Sequence, residues 1–162
     1  ERIKIFEEYI RKGEYKLALA YAKRHDLLHP IELKSFARKW CEHELERAPW
    51  TALKVAREYY LPELALAAAT RYSEDIITQG GTVDPALEIA RHERANDDTY
   101  RHRVARYAFG KFIGSRNFSS LPGLVTEFRP SFSDAEADLA EFLARAAKAR
   151  EERRYAAAVK RS

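Results

Sequence analysis

Apolar positions recur along this chain three and four residues apart with polar residues between them, the pattern of helices buried on one face. Residues 2–12 carry it as Ile3, Ile5, Phe6, Tyr9 and Ile10. Gly13 supplies a stop, because glycine tolerates the left-handed backbone of a helix C-terminus. Residues 15–28 resume the pattern with Leu17, Ala18, Tyr21, Ala22 and His25 inward. Pro30 opens a helix over 31–46, with Leu33, Phe36, Ala37, Trp40 and Cys41 as its stripe. After Pro49, residues 50–60 continue with Trp50, Leu53, Ala56 and Tyr60, and Pro62 opens the next helix as Pro30 did. Residues 78–85 predict a loop, closed by Asp84 as N-cap and Pro85 in the first turn of a helix reaching about Ala95. Asn96-Asp97-Asp98 breaks and recaps the chain, and Tyr100, Val104, Tyr107, Ala108 and Phe112 mark another helix. Ser133-Asp134-Ala135-Glu136 is a capping box opening a long last helix with Leu139, Phe142, Leu143 and Ala146 as its expected stripe.

One motif repeats within this pattern. Ala18-Leu19-x-x-Ala22-Lys23, Ala52-Leu53-x-x-Ala56-Arg57 and Ala86-Leu87-x-x-Ala90-Arg91 each begin 34 residues apart. A fixed period of this length marks stacked pairs of antiparallel helices, in which each unit buries its face against the next. The expectation is an all-α solenoid over residues 1–113, an irregular connector over 114–132 and a long C-terminal capping helix over 133–162, together forming a single domain.

The first unit also resembles a tetratricopeptide (TPR) repeat. Tyr9-x3-Gly13-x-Tyr15-x2-Ala18 is similar to the turn between the two helices of such a repeat, and Pro30 stands where the family places its closing proline. The resemblance, best over residues 5–30, implies a groove that binds peptides or partner proteins without catalysis. Lys34, Arg38, Arg71 and Arg101 are the expected contacts in that groove.

Composition adds limits. No apolar run approaches the roughly 20 residues of a membrane-spanning helix, and Glu1-Arg2-Ile3-Lys4 does not have the pattern of a signal peptide. One cysteine, Cys41, excludes an internal disulfide framework and suits a reducing compartment, so a cytoplasmic setting is expected. Scarce amides beside many Arg and Glu give the composition of a heat-adapted protein. The net charge of +4 is concentrated in residues 145–162, with seven basic and two acidic side chains against 22 and 23 elsewhere.

Three basic features are candidates for function. Lys23, Arg57 and Arg91 form a column that closes each repeat. Arg150, Arg153, Arg154, Lys160 and Arg161 continue past the apolar stripe of the last helix, which suits RNA, an acidic protein or an anionic surface. Membrane contact is the weakest of these, because Tyr155-Ala156-Ala157-Ala158-Val159 offers little insertion energy. Finally, Arg38-x4-His43 resembles the Arg-to-His spacing of HEPN ribonucleases. That resemblance implies Arg38 on the scissile phosphate and His43 in acid–base work. His43-Glu44 and His92-Glu93 each begin a zinc-protease pattern, but Arg47 and Asn96 stand where the second ligand belongs, so no metal is assigned. No cofactor loop is present. The leading expectation is a non-enzymatic adaptor for a protein or peptide, with RNA binding or cleavage as the alternative.

Overall fold

The computed structural model describes residues 1–161, which form nine α-helices and, among the described residues, no strand. They are α1 (Arg2–Arg11), α2 (Tyr15–His25), α3 (Pro30–Arg47), α4 (Pro49–Glu58), α5 (Pro62–Gln79), α6 (Val83–Arg91), α7 (Asp98–Gly114), α8 (Leu121–Glu127) and α9 (Asp134–Arg161). Short 3₁₀ turns at Phe118–Ser120 and Arg129–Ser131 flank α8. The chain divides into two compact units, Glu1–Tyr72 and Ser73–Ser162.

The repeated motif falls on α2, α4 and α6, and all nine of its Ala-Leu-Ala positions are buried, none more than 7% exposed. Alanine is used this way throughout: 13 of the 32 buried apolar side chains among the described residues are alanines. A buried methyl group allows two helix axes to approach closely, at the lower end of the usual 8–10 Å separation.

In the first unit α1 packs on α2 and α3 on α4. Aromatic rings join the two hairpins. The Tyr15 ring centroid lies 5.8 Å from Phe36 and 4.9 Å from His43, and Phe6 lies 5.7 Å from Phe36. The Cys41 thiol donates to the Ala52 carbonyl at 3.3 Å, tying α3 to α4, and burial pushes that thiol above its ordinary pKa. In the second unit α6 packs on α7, α7 on α8, and α9 covers α8 and the Phe118–Ser120 turn.

Five helices end in the same way. A residue with positive φ follows the helix, and the next N–H reaches back five residues: Glu14 to Tyr9, Leu27 to Ala22, Leu61 to Ala56, Gly81 to Ile76 and Asn117 to Phe112. This closes otherwise unpaired carbonyls. Glycine holds the left-handed position at Gly13 (φ 73°) and Gly80 (φ 70°), as the sequence pattern predicts for Gly13. Asp26, Tyr60 and Arg116 hold it elsewhere, where a side chain costs about 1 kcal/mol relative to glycine.

Several expected details change. Ile3 and Ile5 of α1, Leu17 of α2 and Trp50 of α4 are 39–62% exposed rather than inward. Leu19 takes the buried place on α2 in place of Leu17. α2 stops at His25, because Asp26 turns left-handed. The expected 78–85 loop shortens to residues 80–82, pinned by Tyr107 Oη donating to Gly81 O (2.6 Å) and Lys111 Nζ to Gly80 O (2.7 Å). α6 therefore starts at Val83, with Thr82 at the N-cap and Asp84 inside its first turn. The Ser133–Glu136 capping box forms as expected, with Glu136 N donating to Ser133 Oγ and Ser133 N to Glu136 Oε1. On α9, however, Leu139 and Phe142 face outward at 43% and 68% exposure, while Ala140 is fully buried. The smaller side chains of the helix win its inner face because they allow the closer approach to α8.

Overpacking tests this reading. Ala52→Leu should lower unfolding free energy by about 1–3 kcal/mol, since the α3–α4 contact has no room for three added carbons. Ala20→Leu, on the exposed side of α2, should change it by less than about 0.5 kcal/mol. Denaturant titration of both variants decides the matter: equal effects would mean the alanines do not set the helix spacing.

Candidate functional site

The basic residues separate into those held by the fold and those left to solvent. Arg94 is the most firmly held. Its Nε and Nη2 donate to Asp97 Oδ2 (3.1 and 2.6 Å), its Nη1 to Ser73 Oγ (3.4 Å), and its guanidinium lies 3.9 Å over the Tyr100 ring. Asp97 also caps α7 by accepting from Tyr100 N at 2.9 Å, and Tyr100 Oη donates to Ala86 O on α6 at 2.9 Å. Arg103 grips Glu74 with two bonds (2.8 and 3.1 Å), Arg106 reaches Glu136 (2.5 Å), and Arg129 pairs with Asp134.

Two of the sequence-predicted contacts have partners within the fold. Arg91 makes a two-pronged pair with Glu127 (2.5 and 2.8 Å), fastening α6 to α8. Arg101 donates to Ala90 O (2.5 Å) and stacks 4.7 Å over Phe128. The other members of the basic column are Lys23, whose ammonium sits 5.8 Å from the Tyr59 ring centroid, and Arg57, which is half-buried. Arg71 faces Glu46 at 3.8 Å with both side chains at least half exposed, a geometry that contributes little in water. Lys34 and Arg38 line a shallow cleft of about 380 Å³ with Pro30 and Ile31. His43 packs instead on Gly13 and Tyr15, with Nδ1 3.4 Å from Glu44. Five positions along a helix separate Arg38 and His43 by about 140° around its axis.

In the second unit, the cations left to solvent gather on α9 and the turn beside it. Every residue from Arg150 to Arg161 is exposed, including Arg150, Arg153, Arg154, Lys160 and Arg161. Among the described residues none of these five meets a carboxylate; Arg153 Nε donates to Ala149 O on its own helix. Where α9 crosses the Phe118–Ser120 turn there is a cleft of about 340 Å³. Arg116, Phe118 and Ser119 line one side and Arg145, Lys148 and Glu151 the other. Asn117 shapes this turn by accepting from Ser120 Oγ (3.0 Å) and Ser119 Oγ (3.4 Å). The sequence pattern places Arg145 and Lys148 only within the tail charge, and it does not single out Arg116 or Phe118. The signal that could have found them is Gly114-Ser115-Arg116-Asn117, a helix stop without glycine at the left-handed position.

Among the described residues no group of three or more His, Cys, Asp or Glu side chains could hold a metal ion, and no helix is long and apolar enough to cross a membrane. No family model matches this chain, and no curated protein or solved structure matches it.

The held arginines have a consequence for acid stability. The Arg103 guanidinium keeps Glu74 below the ordinary carboxylate range, Arg91 does the same to Glu127, and the Tyr100 backbone N–H, followed by Arg94, lowers Asp97. A carboxyl group with a folded pKa below its unfolded one stabilises the fold above the unfolded value of about 4 and loses that contribution as pH falls through the folded pKa. The thermal midpoint should therefore drop between about pH 5 and pH 3. Glu127→Gln should lower the midpoint at neutral pH and flatten the acid dependence. A variant with the unchanged wild-type slope would show that the Arg91–Glu127 pair contributes nothing.

Proposed function

We propose that this chain is a non-enzymatic binding protein whose partner is single-stranded RNA, held along the basic second half of α9. The observation that carries this reading is the exposure of residues 150–161, whose five cations meet no carboxylate among the described residues, in a unit where Arg91, Arg94, Arg103, Arg106 and Arg129 are all ion-paired. Complementing the helix dipole does not account for them, since that effect fades within the last turn and so reaches Lys160 and Arg161 but not Arg150, Arg153 or Arg154. Tyr155, 74% exposed among them, offers a ring on which a base can stack. The repeated Ala-Leu-x-x-Ala motif supports a TPR-like stack of hairpins as the scaffold, and the single thiol supports a reducing, cytoplasmic setting.

Cleavage is not part of this reading, because Arg38 lies with Pro30 and Ile31 while His43, on the same helix, lies against Gly13 and Tyr15. A second reading, a protein or peptide adaptor, is favoured by one observation: Leu139 and Phe142 lie exposed on the first half of α9. Apolar contact of that kind responds little to salt.

Salt dependence separates the two. Binding of a labelled single-stranded RNA, followed by fluorescence anisotropy, should weaken steeply between about 50 and 200 mM salt. Replacing Arg150, Arg153 and Arg154 together by Gln should make the log–log slope less negative by about two, at roughly 0.7 per phosphate contact on a single strand. The RNA should remain intact. Absence of binding at the lower salt would retire the RNA reading in favour of the adaptor.

A further inference from the structure

We infer that the cleft between the Phe118–Ser120 turn and α9 anchors one nucleotide of the bound strand, its phosphate against Arg116, Arg145 and Lys148 and its base against Phe118. This rests on the RNA reading. The cleft's volume, about 340 Å³, lies at the small end of the range for ligand sites and suits a single nucleotide. Its three cations are not ion-paired among the described residues, in a unit where Arg91, Arg94, Arg103, Arg106 and Arg129 all are. Glu151 is the opposing charge on the rim, leaving two net positive charges for a phosphodiester that carries one negative. Phe118 is half-buried, with part of its ring open to the cleft, and a base needs only such a π-face to stack.

The left-handed helix end at Arg116 is one of three held by a residue other than glycine, with Asp26 and Tyr60. Arg116 occupies the left-handed position after α7 (φ 57°), the position that Gly13 and Gly80 fill without penalty after α1 and α5. Glycine would favour folding here. The arginine instead places a guanidinium on the cleft. Arg145 and Lys148 sit immediately ahead of the exposed Arg150–Arg161 stretch on the same helix, with Arg153 about 80° and Arg150 about 140° from Arg145 around its axis, so a strand anchored in the cleft reaches the tail cations by winding around α9.

The test is an anisotropy titration of the full chain with a labelled oligouridylate of about ten nucleotides. Its variants are Arg116→Gly, the pair Arg145→Gln with Lys148→Gln, and the tail triple at Arg150, Arg153 and Arg154. Arg116→Gly should raise the thermal midpoint yet weaken binding about ten-fold, a combination that a purely structural residue does not produce. The Arg145/Lys148 pair should weaken binding at least as much as the tail triple despite removing one charge fewer. In a separate Phe118→Trp protein, indole emission should be quenched on saturation with RNA and unchanged with inorganic polyphosphate, which has no base.

Four outcomes overturn the inference in distinguishable ways. Wild-type protein that binds no RNA at low salt removes the RNA reading and the cleft with it. RNA binding weakened by the tail triple but not by the cleft variants leaves the RNA reading standing and removes the cleft. Unquenched indole emission from the Phe118→Trp protein at saturation removes the base from the cleft, and equal affinity for polyphosphate reduces the site to charge attraction.

Discussion

Close approach of helices at alanine is the constraint on which this fold depends. A buried alanine removes little apolar area from water, so each contact contributes less than a leucine in the same place would. It permits short distances in return, and dispersion between well-packed backbones makes up part of the difference. The consequence runs through the molecule. On α2 and α9, where alanine takes part of the inner face, larger apolar side chains stand outward, as Leu17, Leu139 and Phe142 do.

A core built of small residues needs fastening at its edges, and the two units do this differently. In the first, the fastening is aromatic. Tyr15 lies against both Phe36 and His43, so the Gly13 turn seats the α1–α2 hairpin on α3. In the second, the fastening is ionic. Arg94 joins Ser73, Asp97 and Tyr100, and through Tyr100 reaches Ala86, so residues from α5, α6 and α7 meet at one largely buried guanidinium. Losing one partner there would leave a charge short of its hydrogen bonds, which costs more than the pair itself contributes.

Much of the fold could be read from the sequence because its signals are local. Proline openings at 30, 49 and 62, the Gly13 stop, the Asp97 cap and the Ser133–Glu136 box all act within four residues. The inner stripe of α3 was readable for the same reason, since its large side chains do face inward. Facing on α1 and α9 was not readable. Periodicity shows that a helix has an apolar face, but α9 has two candidate faces, and the choice of Ala140 over Phe142 depends on how closely α8 lies. The candidate site was harder still. Lys34 and Arg38 remain on the surface where the pattern put them, whereas Arg91 and Arg101 are committed to partners 36 and 11 residues away. No reading of spacing alone identifies such a partner.

The value of the structure for function therefore lies in sorting the arginines. In an Arg-rich helical chain, a basic side chain says little until its partner is known, because an acid elsewhere in sequence can neutralise it. Glu74, Glu127, Glu136, Asp97 and Asp134 do this for five arginines of the second unit. Within that unit, what remains unpaired is not scattered. Arg116, Arg145 and Lys148 meet at the cleft with Phe118, and Arg150, Arg153 and Arg154 follow with Tyr155 on the exposed end of α9. A solvated face kept only for solubility has no need of aromatic rings among its charges. Rings interleaved with unpaired cations are what a chain of phosphates and bases requires, and that combination leads from the charge distribution to a nucleic-acid strand.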